Sequence, residues 1–174
     1  MKEIKQDLFI AAGEPAVDAI CITTNGQYTR QGIAAMGGGC AGICARHWPE
    51  TAQRLGRLLK TFGKNIPFVI GALDANLDHI PPNQEMIKNK KYKCLIFSFP
   101  TMGHLGEPAS LDLIKQSTLL IKDFADNFKL MGVVIPRPGC GIGGLDYYQD
   151  VRPVLNSILD DRFTIVCQEG DYLI

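Results

Sequence analysis

The stretch Val133-Val134-Ile135-Pro136-Arg137-Pro138-Gly139-Cys140-Gly141-Ile142-Gly143-Gly144-Leu145 decides how this chain folds. Its first four residues are a compact apolar run, the composition expected of a strand covered on both faces. A loop dense in glycine follows at once, and such a loop exposes backbone N–H groups that no side chain obstructs. Gly139, Gly141 and Gly144 match the spacing GxGxxG. A dinucleotide-binding domain needs that motif to open a βαβ unit with a further strand and an acidic residue beyond it. Only 30 residues follow Gly144, too few for the rest of such a domain. No GKS or GKT closes the loop, so a Walker A reading is excluded as well.

Outward from this stretch, similar apolar runs recur. Asp18–Thr23, Pro67–Gly71, Cys94–Phe99 and Phe163–Cys167 read as further strands, with a weaker one expected over Glu3–Ile10. Between them lie helical stripes. Ala52, Leu55, Leu58, Leu59 and Phe62 recur at helix spacing and stop at Gly63, a residue suited to the left-handed cap. A longer stripe runs from Leu113 to Phe128 and is expected to end by Gly132. A third joins Val151, Val154, Leu155, Ile158 and Leu159, with Asp150 as the expected cap and Pro153 in the first turn. The polar segment 72–93, with Pro81, Pro82 and a run of lysines, reads as a surface connection holding at most a short strand or hairpin. Strands alternating with helices predict a three-layer α/β/α sandwich around a mixed, mostly parallel sheet. No repeat or linker divides the 174 residues, so one domain over 1–174 is expected.

A second glycine cluster, Gly37-Gly38-Gly39, precedes Cys40-Ala41-Gly42, where a helix is expected. Each cluster by itself is open to the reading of a tight turn. Together they suit a ligand with two adjacent phosphates, held by backbone N–H groups and the positive end of a helix.

Composition excludes several classes. The 18 basic and 18 acidic residues cancel, so no general nucleic-acid binding and no grip on an anionic membrane is expected. Six cysteines are present without a CxxC, and His47, His79 and His104 are far apart, so no metal site is expected. Met1–Phe9 carries four charged residues and no signal-peptide stretch, and no run of about 20 apolar residues occurs anywhere. The expectation is a cytoplasmic protein with reduced, buried thiols.

Five blocks in order resemble the macrodomain family, the ADP-ribose-binding α/β/α module. They are Gln6-Asp7-Leu8-Phe9, the strand Asp18–Asn25, the loop and helix Gly37–Arg46, the segment Phe99–Ser110 (FPTMGHLGEPAS) and Ile135–Asp146 (IPRPGCGIGGLD). The fourth block is similar to the DNA-ADP-ribose and terminal ADP-ribose glycohydrolase branches, and branches that process ADP-ribose 1″-phosphate are a further likeness. The resemblance implies ligand contacts from Asp7 to the adenine amino group and from Asn25 to the distal ribose, with Leu8 and Thr24 as further ligand-binding residues. It implies a diphosphate clasp from Gly37, Gly38, Gly39, Cys40 and Ala41 on one side. Gly139, Cys140, Gly141, Ile142, Gly143, Gly144 and Leu145 would close it from the other, with Ala41 and Gly42 permitting close approach. Arg137 is open to a phosphate role or to packing. No cofactor is implied.

The chain departs from catalytic relatives at three positions: Ala41 and Gly143 stand where branches carry acids, and Met102 where they carry lysine. A thioether is neither nucleophile nor electrostatic clamp. Asn25 and His104 are the remaining catalytic candidates, His104 having the structural alternative of an ordinary surface histidine. The first expectation is a binder of ADP-ribose or a closely related NAD-derived metabolite. The alternative is a hydrolase that removes ADP-ribose from protein or nucleic acid, or dephosphorylates ADP-ribose 1″-phosphate. The partner is accordingly an ADP-ribose-like small molecule or an ADP-ribosylated macromolecule.

Overall fold

The structure is a computed structural model that describes residues 1–167; the last seven residues of the expected domain lie outside the described part. Seven strands form one sheet in the order β1-β7-β6-β2-β5-β3-β4. They are β1 Lys2–Lys5, β2 Ala19–Thr24, β3 Val69–Leu73, β4 His79–Ile80, β5 Cys94–Pro100, β6 Val133–Pro136 and β7 Phe163–Cys167. The five strands from β1 to β5 in that order pair in parallel, and β3 and β4 add an antiparallel hairpin. The sheet is therefore mixed and mostly parallel, as expected. β5 is buried at every residue, which accounts for its unbroken apolar run. β1 is exposed throughout and carries Lys2, Glu3 and Lys5, charges that discourage pairing at a sheet edge.

Helices α1 (Leu8–Ala11), α2 (Gly39–His47) and α3 (Pro49–Phe62) pack on one face of the sheet over Ile20, Ile22, Ile70 and Ile96. On the other face α4 (Gln84–Lys88), α5 (Leu111–Phe128) and α6 (Arg152–Ile158) cover Phe97, Phe99, Val133, Ile135 and Phe163. Two buried layers on one sheet make the expected three-layer sandwich. None of these helices is long and apolar enough to cross a membrane.

Several boundaries differ from the sequence expectation. The weak strand over Glu3–Ile10 is half strand and half helix. Asp7 Oδ1 accepts from the Phe9 and Ile10 N–H groups at 2.8 and 3.1 Å, which turns the chain into α1 at Leu8. The third expected strand starts two residues later, at Val69, and carries a register shift between Val69 and Gly71. α5 closes at Lys129, itself left-handed (φ 53°), and not at Gly132. Gly132 serves a different need: a Cβ there would lie 1.8 Å from the Ala16 carbonyl. The last helical region begins with a π-helical turn, Tyr147–Val151, capped by Asp146 and not Asp150. Asp150 instead accepts from the Asp146 N–H at 2.9 Å, so the two carboxylates cap reciprocally. The expected cap Gly63 is left-handed, and segment 72–93 contains the expected hairpin plus the short α4.

Candidate functional site

Three loops leave the carboxyl ends of the central parallel strands, the edge at which open α/β sheets take ligands. One follows β2, one follows β5 and one follows β6. They are tied to each other by named bonds. Gly26 N–H donates to Gly103 O at 2.8 Å, and Leu105 N–H to Gln27 Oε1 at 2.9 Å, joining the first two. Ala109 N–H donates to Gly143 O at 3.0 Å, joining the second to the third.

The loop after β2 begins with Asn25, which is buried and held at both ends of its amide. Oδ1 accepts from Gln27 N–H at 2.8 Å and Nδ2 donates to Ala35 O at 2.9 Å. This is the Asn-Gly turn read from the sequence, at the end of its strand. Thr24 beside it is buried with no hydrogen-bond partner for Oγ1. Buried hydroxyls without a partner are uncommon.

Gly38 is the N-cap of α2 and brings no side chain to it, so the amides of the first turn have no cap. In a helix the N–H groups of Gly39, Cys40 and Ala41 have no intrahelical acceptor. Cys40 anchors this turn to β2 through a 3.0 Å contact between its Sγ and Thr23 Oγ1, and burial pushes its thiol pKa up. The Ala41 side chain faces the core. Gly42 makes room for the Gly37 carbonyl, 2.8 Å from where its Cβ would stand.

The loop after β6 is built by two left-handed glycines, Gly139 and Gly144 (φ 77° and 76°). Gly144 N–H donates to Gly141 O and Leu145 N–H to Gly139 O, at 3.1 and 3.0 Å. Those two amides are spent inside the loop. The N–H groups of Gly141, Ile142 and Gly143 take no part in these internal bonds. Ile142 is 72% exposed, and its Cδ1 lies 3.1 Å from the position of a Cβ on Gly38. The two glycine loops thus meet face to face across one apolar side chain. Two cavities, about 250 Å³ beside Lys5, Arg137 and Tyr148 and about 360 Å³ beside Asp74, Tyr92 and Lys93, lie away from this meeting point.

The remaining expected residues are distributed as follows. Asp7 and Leu8 open α1; Asp7 Oδ1 is engaged as the cap and the Leu8 side chain is buried in the core. Arg137 stacks on Tyr147 at 4.2 Å and donates to Tyr148 Oη at 3.1 Å. Met102 is buried, and its carbonyl accepts from Asn65 Nδ2 at 3.0 Å. His104 is exposed, with Nδ1 3.2 Å from Glu107 Oε1. His47 ends α2 against Phe9 and Trp48. Sequence reasoning passed over Gln27, Asn65 and Glu107, which hold the loop after β5. Only Glu107 left a sign, its spacing of three residues from His104.

Comparison with solved structures places this arrangement in a known fold. The chain is similar to Thermosipho africanus DarTG in complex with ADP-ribose, with a TM-score of 0.73 at 16% identity over 99% of this chain and 42% of that one. It therefore spans less than half of that protein. It is similar over 95% of both chains to the macrodomains of Mycobacterium tuberculosis DarG (TM-score 0.65, 21% identity) and Thermus aquaticus DarG (0.66, 20%). No family model and no curated protein matches the sequence. The fold is that of the macrodomains.

Proposed function

We propose that this chain binds ADP-ribose, or a closely related NAD-derived metabolite, in the cleft between its two glycine loops. The observation that carries the reading is the pairing of two amide sets. The uncapped first turn of α2 and the amides of Gly141 to Gly143 approach each other at Gly38 and Ile142. Adjacent phosphates are the ligand such paired donors suit, since each set neutralises charge without a lysine or arginine. The balanced charge of the chain is in keeping with recognition through the main chain. A solved relative of the same fold holds ADP-ribose, which supports that choice of diphosphate.

On this reading the remaining amide hydrogen and lone pair of Asn25 serve the distal ribose, and the α1 entrance at Asp7 and Leu8 serves the adenine end. The ligand is either the free metabolite or the same group carried on a macromolecule, and the setting is cytoplasmic. Titration calorimetry with ADP-ribose tests the reading. Binding in the micromolar range with one site per chain is expected; no heat and no thermal shift at millimolar ligand would overturn it.

A further inference from the structure

The turn that follows Asn25 and the solvent face of α3 form a surface that ADP-ribose binding leaves unused. Residues 19–73 hold six lysines and arginines against one acid, Glu50, in a chain whose charges cancel overall. Tyr28 and Ala34 form a β-bridge, and Thr29 N–H donates to Ile33 O at 2.8 Å, so Arg30 stands at the tip of a tight turn. The turn is seated on α3. Ala34 N–H donates to Ala52 O at 2.9 Å, and the Gly32 carbonyl fills the space over Gly56. Lys60 is four residues beyond Gly56 and so lies on the same side of the helix, next to the turn. Arg57 is one turn back from Lys60, and Lys64 follows the left-handed cap Gly63.

Arg30, Arg57, Lys60 and Lys64 are all exposed. Neither they nor Glu50 enter any ion pair among the described residues. Burial and then the charge of Arg57 push the Arg54 guanidinium pKa down, so the basic groups here act on one another. A cluster of one sign without internal partners attracts and orients an opposite charge.

Apolar groups are set among these charges. Tyr28 and Ile33, on the two arms of the turn, are 43% and 41% exposed, and Leu105 is 60% exposed. Leu105 N–H is bonded to Gln27 Oε1 at 2.9 Å, which holds it beside the residue before Tyr28. Asn65, next to Lys64, donates to Met102 O at 3.0 Å. The surface therefore runs from α3 to the loop after β5. Exposed apolar groups rimmed by charge are the make-up of a docking surface for another chain. A nucleic-acid strand asks instead for aromatic platforms under its bases. Ile33 and Leu105 are aliphatic: they give a base nothing to stack on, but gain from burial against other apolar side chains.

We propose that this surface docks an acidic segment of a partner protein. Its carboxylates pair with Arg30, Arg57, Lys60 and Lys64, and its apolar side chains cover Ile33 and Leu105. The segment lies beside the ligand cleft and uses neither glycine loop, so its binding does not depend on ADP-ribose.

The test uses the whole chain and fluorescein-labelled peptides of about 15 residues, read by anisotropy at about 50 mM salt, where screening is weak. A peptide of glutamate and leucine is expected to bind in the micromolar range. A glutamate–serine peptide of the same charge, and an oligothymidine of the same charge, are each expected to bind at least ~10-fold more weakly. The double variant Arg57→Glu, Lys60→Glu is expected to weaken the glutamate–leucine peptide at least ~10-fold, and Ile33→Ser to weaken it as well. All three substitutions are at exposed positions, so melting temperatures should stay within about 2 °C of wild type. ADP-ribose affinity, by calorimetry, should be unchanged in both variants. No peptide binding at about 0.1 mM, or wild-type affinity in the double variant, overturns the proposal. Oligothymidine binding more tightly than the peptide would make the surface one for nucleic acid and overturn it too. Loss of ADP-ribose binding in the double variant would assign these residues to the ligand cleft instead.

Discussion

Ile142 reaches across to Gly38, its Cδ1 3.1 Å from where a Cβ on that glycine would stand. The backbone of Gly38 is extended (φ −128°), a conformation open to any residue, so glycine is needed there for space alone. The contact sets the two amide groups opposite each other and puts an exposed apolar side chain over the space between them. Whatever occupies the cleft must move Ile142 or pass beneath it. Gly38→Val should therefore displace only the flexible tip of Ile142 and leave the fold intact, while a side chain enters the cleft. The expected result is a melting temperature within about 2 °C of wild type. ADP-ribose affinity should fall at least ~100-fold, or about 2.7 kcal/mol, by calorimetry.

Gly141 provides the cleaner variant. A Cβ at this position meets nothing within 4 Å, and its φ is not in the left-handed region. A valine there should alter stability by less than about 0.5 kcal/mol, as surface substitutions do. If the amides of Gly141 to Gly143 receive a phosphate, the added methyl groups stand where the ligand approaches. Gly141→Val is expected to bind no ADP-ribose at concentrations that saturate the wild type. Wild-type affinity in this variant would remove the loop from the site.

Gly56 predicts the opposite separation. It lies inside α3, where a Cβ would stand 2.2 Å from the Gly32 carbonyl and 2.6 Å from the Ala34 nitrogen. Both obstacles are backbone, so α3 must shift as a body. Gly56→Ala should cost about 3 kcal/mol despite the better helix propensity of alanine. For a domain of this size that is a fall of roughly 10 °C in melting temperature. The fraction that remains folded should bind ADP-ribose with wild-type affinity, which distinguishes packing from site glycines.

These three glycines also show where the sequence is readable and where it is not. The clusters at 37–39 and 139–144 stand out because glycines so close together have little use in a strand or helix interior. Gly56 and Gly132 are isolated, and their cause is a remote backbone, Gly32 in one case and Ala16 in the other. No local pattern announces such a contact. The strands were legible because burial on both faces leaves an unbroken apolar run, as in Cys94–Pro100. Helix ends were less so: Asp7 and Asp146 act through single side-chain bonds, and Lys129 closes α5 in a conformation that composition assigns to glycine. Within the site, the two loops could be read separately. Their meeting at Ile142 and Gly38 belongs to the tertiary structure.

Acid sensitivity should trace to one cluster on the far side from the loops. Arg162 donates to Asp160 through Nε at 3.0 Å and Nη2 at 2.6 Å, and also pairs with Asp126. Lys122 adds a bond to Asp126 at 2.9 Å and lies 3.5 Å from Asp160. The hydrogen bonds from Arg162 hold the Asp160 carboxyl well below the usual carboxylate range, and the Arg162 and Lys122 bonds lower Asp126 in the same sense. A carboxyl depressed in the folded state stabilises it at every pH above the unfolded value near 4. That contribution is lost as pH falls from about 4 towards the depressed value, where protonation breaks the pairs. Because the partners are solvent-exposed, the loss for Asp160 should stay below about 1 kcal/mol. Melting temperatures of the wild type and Asp160→Asn, measured from pH 7 to pH 2.5, should differ at neutral pH, with the gap narrowing steadily as pH falls below about 4. A gap that widens as pH falls would mean that Asp160 is not held ionised by Arg162.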